Sequence, residues 1–398
     1  MSYMLELMIK KRNQEEIALV ENGNLIEYYH GTEDSQRKEG NIYLGIVKDI
    51  IKGMQSAFVD IGTEKNSFIH LKDILPKIDE KKEQINESIS IGQVIKPNQK
   101  IVVQVKKDSN EKKGARVSTH INLPSKYIVL MPETNIITIS QKIDDEQEQK
   151  RLIELVKQHL TEGNGAIIRT SAKGKTQELI NDITKVEAKW KTIKQKVEKA
   201  QETNNISLLY QAEGIAEKML IDLADKKIER IVVDNRQEEK RIKEFQNQNP
   251  ELVNVKIEYQ DKDIFAIYDL EKQIEKRNNR KVWLKCGGFI TIDATEALTA
   301  IDVNTGKYTG NKNLEQTVYK VNEEATIEIA KQLRLRDIGG IIIIDYIDMK
   351  NAENKEKIQT LLKEKLKSDR SKTQVEGFTK LDLMEMTRKH ICSHNEDE

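Results

Sequence analysis

Residues 288–345 constrain this chain more than any other stretch. Residues 288–293 and 297–303 have the length and composition of strands. Residues 313–335 repeat apolar side chains at helical spacing, with Leu314, Val318, Val321, Ala325, Ile329 and Leu333 on one face. Gly339-Gly340 then opens a run of four isoleucines, residues 341–344, which reads as a fully buried strand ended by Asp345. Strand, helix and strand at this spacing predict a βαβ unit with a right-handed crossover. Residues 355–367 supply another helix.

In that unit the strand period of two sets Ala300, Asp302 and Asn304 on one face. The carboxyl ends of parallel strands share an edge, the usual ligand edge of an open α/β sheet. Asp302 and Asp345 are therefore expected to be neighbours. Two carboxylates at close range oppose each other's charge unless a cation lies between them. Oxygen donors of this kind suit Mg²⁺ or Mn²⁺ rather than zinc. On spacing alone, surface acids closing two strands are the alternative.

The start of the chain is a sheet too small to stand alone. Strands are expected at 5–9, 17–20 and 25–29, the last two joined by a turn at Asn22-Gly23. Their partners must come later, and the strands expected at 228–233 and 253–257, with a helix at 238–246 between them, are candidates. Residues 41–118 read as short strands broken by glycine, a small β-barrel, with strands at 41–51, 55–61, 66–69, 94–95 and 101–105 and an exposed charged loop at 77–88. Alternation there puts Phe58 with Ser56 and Asp60, and Phe68 with Asn66 and His70, on the polar side of their strands. Two aromatics so placed form a base-stacking platform or lie beneath a covering segment. The nearby Lys106, Lys107, Lys112, Lys113 and Arg116 favour nucleic acid. Beyond the barrel, a strand at 127–132, helices at 144–160 and 176–204, and a short buried strand ending in Arg169-Thr170-Ser171 are expected. An arginine fork with hydroxyls suits a terminal phosphate, although strands also simply end in polar residues.

Lys plus Arg and Asp plus Glu each number 66 in 398 residues, giving zero formal charge. That excludes a uniformly basic coat protein, but not local cation clusters. Two to three domains fit the length at about 150 residues each. Two cysteines cannot build a disulfide framework, and no apolar run reaches the roughly 20 residues of a membrane span, so a reduced cytoplasmic setting and no transmembrane segment are expected. His30, His120 and His159 fit no nucleophile triad, Cys392 with His394 is only a pair of ligands, and no Walker-type loop is present.

Several segments together resemble one family. Residues 298–306 and 333–349 closely resemble the catalytic segments of ribonucleases E and G, and residues 53–62 are similar to the S1 core of that family. Residues 114–121, 167–170 and 384–389 match in the same order. The resemblance implies a multidomain α/β and β protein. An RNase H-like subdomain (1–40 and 210–273) would carry an inserted S1 (OB-fold) domain (41–118) and a 5′-sensor region (119–209). A DNase I-like α/β catalytic domain (274–391) and a tail (392–398) would follow. It implies a Mg²⁺-dependent endoribonuclease of single-stranded RNA (rRNA or tRNA precursors, mRNA) that leaves 5′-phosphate and 3′-hydroxyl ends, with Mn²⁺ as a substitute metal. Asp302 and Asp345 would hold the metal with Asn304 assisting. Phe58, Phe68 and Lys113 would contact RNA. Arg169 and Thr170, with Val129 alongside, would bind a 5′-monophosphate, and Lys372 stands where the family has an arginine. The family's Cys-Pro-x-Cys zinc link is not found, so zinc is not expected, and a homodimer would have to form without it. The alternative is a non-catalytic RNA-binding or ribosome-assembly factor of the same fold, which the retained Asp302, Asn304 and Asp345 disfavour. A DNA-binding OB protein would leave the carboxylate pair without a role.

Overall fold

In the computed structural model, the described residues are 4–12, 14–31, 38–74, 89–109, 113–202, 205–224, 228–306 and 314–391. The expected loop at 77–88, Lys112, Cys392 and His394 lie outside them. The chain divides into two compact units, Met1–Ser35 with Ile215–Glu398, and Gln36–Gly214.

The first unit begins with β1 (Leu5–Lys11), β2 (Glu15–Glu21) and β3 (Asn24–His30), an antiparallel meander. Asn22 and Gly23 both have positive φ, which lets the β2–β3 turn close tightly. The chain then forms the second unit. There β4 (Ile42–Ile51), β5 (Ser56–Asp60), β6 (Ser67–His70), a one-turn helix α1 (Ile91–Val94), β7 (Lys100–Lys107) and β8 (Arg116–Ser118) build a five-stranded barrel. Pairing of β4 with both β5 and β7 closes it, an S1/OB-like arrangement. Gly45 makes that closure possible, because a Cβ there would lie 2.8 Å from the Val59 side chain and 2.9 Å from the Asp60 carbonyl. Val94-Ile95, expected as a strand, instead ends α1. Ser90 opens that turn, and its N–H donates to the Gln93 side chain at 2.8 Å in a capping box.

A second sheet follows in the same unit. It comprises β9 (Leu123–Pro124), β10 (Ile128–Met131), β11 (Ile137–Ile139) and β12 (Gly165–Ile168), with α2 (Glu146–His159) crossing between the last two. The long α3 (Gln177–Glu202) covers it through Leu179, Ile183, Val186, Trp190 and Ile193. The next strand, β13 (Ser207–Tyr210), pairs with β4.

Back in the first unit, α4 (Ile215–Leu223), β14 (Ile228–Val233), α5 (Arg236–Asn247) and β15 (Lys256–Tyr259) complete the N-terminal sheet. Its order is β15-β14-β1-β2-β3, and β14 lies parallel to β1. The strand expected at 253–257 starts later. Leu252 takes the buried position within a short 3₁₀ turn, leaving Val253 65% exposed. Short helices α6 (Ile264–Ile267) and α7 (Glu271–Arg277) lead on to the last sheet.

That sheet contains β16 (Lys281–Trp283), β17 (Phe289–Ala294), β18 (Leu298–Asn304), β19 (Gly340–Asp345), β20 (Thr373–Phe378) and β21 (Leu383–Arg388), in the order β16-β17-β18-β19-β21-β20. Helix α8 (Leu314–Leu335) joins the parallel strands β18 and β19, and α9 (Ala352–Leu366) packs beside it. The isoleucine strand is not fully buried, contrary to the expectation from its composition. Ile342 and Ile344 join the core under the helices, while Ile341 is 51% exposed on the opposite face. One face of the sheet is covered and the other is open, so four isoleucines need not mean two buried faces. Leu314 also departs from its expected stripe and is 77% exposed in the first turn of α8.

Candidate functional sites

Parallel pairing of β18 with β19 places Asp302 directly opposite Asp345. Ile301 and Val303 point into the core, so Asp302 points to the open face with Ala300 and Asn304. Asp345 lies on the same face because Ile344 is buried. An open cleft of about 330 Å³ is lined by residues of the two strand ends, including Asp302, Asn304, Asp345 and Asp348. The Asn304 amide donates to the Asp302 carboxylate at 2.6 Å. Partial burial, then Asp302 and then Asp348, push the Asp345 carboxyl above its usual range. Both carboxylates face an open cleft in which positive charge would be stabilised.

The backbone around the cleft is held from two sides. Gly306 has φ of +59°, and a Cβ there would lie 2.5 Å from the Gly287 carbonyl, so only glycine lets the chain leave β18 along this path. Beyond Asp345, fully buried Asn322 of α8 makes a two-way clamp on the strand exit. Its amide donates to the Ile347 carbonyl at 2.8 Å and accepts from the Ile347 N–H at 3.1 Å. Thr326 Oγ1 lies 2.9 Å from the buried Tyr346 hydroxyl. Sequence reading missed these two positioning residues. Their signal was a polar side chain at apolar-stripe spacing: Asn322 is four residues after Val318, and Thr326 four after Asn322.

Among the described residues, no group of three His, Cys, Asp or Glu side chains forms a closed metal cage. A pair of carboxylates is nonetheless a sufficient protein contribution for Mg²⁺, which retains several waters and takes its other oxygens from substrate phosphate. The all-oxygen donor set and the mutual repulsion of Asp302 and Asp345 fit such a hard dication.

In the second unit Phe58 and Phe68 pair directly across β5 and β6. Their ring centroids are 6.4 Å apart at 71°, and both rings are half-buried on the outside of the barrel. Lys113 is exposed just before β8, where a Cβ on Gly114 would collide with the Asn66 carbonyl at 2.0 Å. The expected cation cluster is weaker than its composition suggests. Arg116 forms a two-pronged ion pair with Asp73, with contacts of 2.9 to 3.2 Å, and Lys106 donates to Gln104 at 2.6 Å.

Arg169 and Thr170 follow β12 directly, and Val129 of the neighbouring β10 pairs with Ile167 of β12. The Arg169 backbone donates to the Tyr127 carbonyl at 2.8 Å, and its guanidinium donates to the Ser125 carbonyl at 2.7 Å. Thr170 and Ser140 hydroxyls lie 2.9 Å apart. Buried Asp182 fixes the turn ahead of β10, whose carbonyls receive Arg169, by accepting from the Tyr127 N–H at 2.8 Å and the Ser125 hydroxyl at 2.5 Å. Lys372, expected with this group, belongs to the first unit, exposed immediately before β20.

Among the described residues no helix is long and apolar enough to cross a membrane. Residues 122–391 match the model of the Ribonuclease E/G family. The chain is 40% identical over 380 residues to Ribonuclease G of Escherichia coli (strain K12), covering 94% of this chain and 77% of that protein. Ribonuclease G of Haemophilus influenzae is 40% identical over 389 residues, covering 96% and 79%. Ribonuclease E of Nostoc sp. is 35% identical over 357 residues, 88% of this chain and 51% of that longer protein.

Proposed function

The chain belongs to the ribonuclease E/G family, and from that footing we propose that it is a metal-dependent endoribonuclease. It cuts single-stranded, A/U-rich RNA internally, in precursor rRNA or tRNA and in mRNA. Water attacks the scissile phosphorus, the bond to the 3′ oxygen breaks, and the products carry 5′-phosphate and 3′-hydroxyl ends. The observation that carries this reading is the register match of Asp302 with Asp345 on one open face.

Asp302 and Asp345 would hold Mg²⁺, or Mn²⁺ in its place. When bound, the metal supplies positive charge to offset the negative charge developing on the phosphate and makes the attacking water more acidic. Asn304 orients the Asp302 carboxylate through its 2.6 Å hydrogen bond. The Asn322 clamp holds the exit of β19, and with it Asp345, in place. On the barrel, Phe58 and Phe68 give bases two aromatic surfaces, and Lys113 gives the backbone a cation. Arg169 and Thr170 take a 5′-monophosphate, with Val129 packed beside them, so that such RNA is cut faster.

The test is incubation of the purified protein with an A/U-rich single-stranded RNA, in Mg²⁺ and in EDTA, with the product ends mapped. Internal cuts bearing 5′-phosphate, present only with the divalent metal, are expected. Intact RNA in both Mg²⁺ and Mn²⁺, or equal cutting in EDTA, would overturn the proposal.

A further inference from the structure

The open face that carries the carboxylates continues into an aromatic edge. Val282 packs toward the core, so Lys281 and Trp283 of β16 point the other way. The register aligns two rows across the sheet. Lys281 pairs with Thr291, which pairs with Asp302. Trp283 pairs with Phe289, which pairs with Asn304. At a strand spacing of about 4.8 Å, Trp283 lies roughly 10 Å from Asn304, on the same face.

Trp283 is 60% exposed, a large apolar side chain left in water. It is also well held. Its ring meets Phe289 edge-on, with centroids 5.4 Å apart at 63°. The Lys281 ammonium sits 4.1 Å from the Trp283 centroid and 3.6 Å from that of Phe289. An exposed indole braced by a second ring and a cation is pre-organised to take a flat partner. Beside it the face is acidic, with Asp302 and Asp345, a poor landing site for an apolar protein surface. A nucleic-acid strand with its scissile phosphate at the carboxylates passes this edge with a neighbouring base.

We propose that Trp283, braced by Phe289 and Lys281, is a base-stacking subsite for a nucleotide flanking the scissile phosphate. The inference rests on the endoribonuclease reading above and adds a specificity element within the catalytic sheet itself, apart from the barrel. Stacking is tolerant of sequence because every base has a π-face, so the subsite demands an unpaired base rather than a particular one. The Lys281 ammonium adds attraction for the adjoining phosphate.

Two readouts separate the subsite from the reaction. The chain has two tryptophans, and Trp190 is 7% exposed beneath its helix, so a ligand stacking on Trp283 quenches mainly that indole. Single-stranded RNA added in EDTA, where no cutting occurs, is expected to quench emission in the wild type, and Trp283→Phe to lose most of the quenching. In Mg²⁺, Trp283→Ala is expected to raise KM about tenfold, the usual order for one lost stack, with kcat little changed. Trp283→Phe should restore most of the loss. An RNA with an abasic residue at the stacked position should bind wild type and Trp283→Ala alike. Quenching that survives in Trp283→Phe, or an unaltered KM in Trp283→Ala, overturns the subsite. An unaltered KM with a dimer-to-monomer change in mass would assign the edge to a second copy instead. Quenching without any cleavage in Mg²⁺ or Mn²⁺ would sink the reaction while upholding the stacking.

Discussion

Asn304 donates to Asp302 from two residues further along the same strand, so a neutral amide braces one member of a carboxylate pair whose other member is Asp345. The arrangement favours a cation and disfavours the empty pair. Asp302→Asn and Asp345→Asn should each remove cleavage by at least about a hundredfold, the order expected when a group that stabilises transition-state charge is lost. Stability should move the other way. Removing one of two facing like charges relieves repulsion, so the metal-free melting temperature should hold or rise. Cleavage assays and thermal melts in EDTA check both halves. A variant that cuts normally, or that melts well below wild type, would contradict the assignment.

Phe58 and Phe68 touch each other as well as facing outward. Each alanine variant should weaken binding of single-stranded RNA by about 1–3 kcal/mol. Because the rings share an edge-to-face contact, the double variant should lose less than the sum of the two. Titrations of fluorescent RNA against the three variants measure this. Loss of folding with unchanged affinity per folded molecule would make them core residues.

Much of this was legible from side-chain periodicity, and the gaps have physical causes. Alternation along residues 298–304 placed Asp302 and Asn304 together because one face of that strand is buried and the other is not. The same logic failed for residues 341–344, where composition hides the alternation and only the positions of α8 and α9 reveal which isoleucines are covered. Arg116 looked available to nucleic acid because Asp73, which holds it, is far away in sequence. The Asn322 clamp was obscured for a similar reason. A buried amide looks like a flaw in an apolar stripe until the backbone at Ile347 is seen against it. The aromatic edge at Trp283 depends on register across three strands, which no local pattern encodes.

The RNA end supplies another test. Arg169 is oriented by its bond to the Ser125 carbonyl, and Thr170 adds a hydroxyl beside it. A 5′-monophosphate offers oxygens for paired hydrogen bonds, whereas a 5′-hydroxyl offers no charge. Cleavage should be faster on 5′-monophosphorylated RNA than on the 5′-hydroxyl form of the same sequence. Arg169→Ala should remove that difference and leave the slower, end-independent rate, because the carboxylates lie in the other unit. Initial rates at subsaturating RNA decide it. Equal wild-type rates would mean the 5′ end is not sensed.

The last prediction concerns acid stability and Glu27, which is 1% exposed on β3. Its carboxylate meets Arg370 at 2.6 Å and Arg334 at 2.7 Å, with the Tyr29 hydroxyl at 2.9 Å. Burial alone would raise its pKa, but the two guanidiniums outweigh burial and hold it at about 2, against 4.5 for an ordinary glutamate. A carboxyl depressed this far contributes on the order of 3 kcal/mol. The sign follows from linkage. The unfolded chain takes up the proton first, so the contribution is complete above about pH 4.5 and is lost as pH falls toward 2. Glu27→Gln should behave oppositely in two respects. At neutral pH it removes the carboxylate that the two partly buried guanidiniums share, leaving Arg370 only Asp222 at 3.3 Å, and a loss of about 3–5 kcal/mol is expected. Through the acid range it has no carboxyl to protonate, so its stability should fall less steeply than that of wild type. Urea melts at neutral pH and at several steps below pH 5 measure both. Parallel acid profiles for the two proteins would show that Glu27 does not carry this pH dependence.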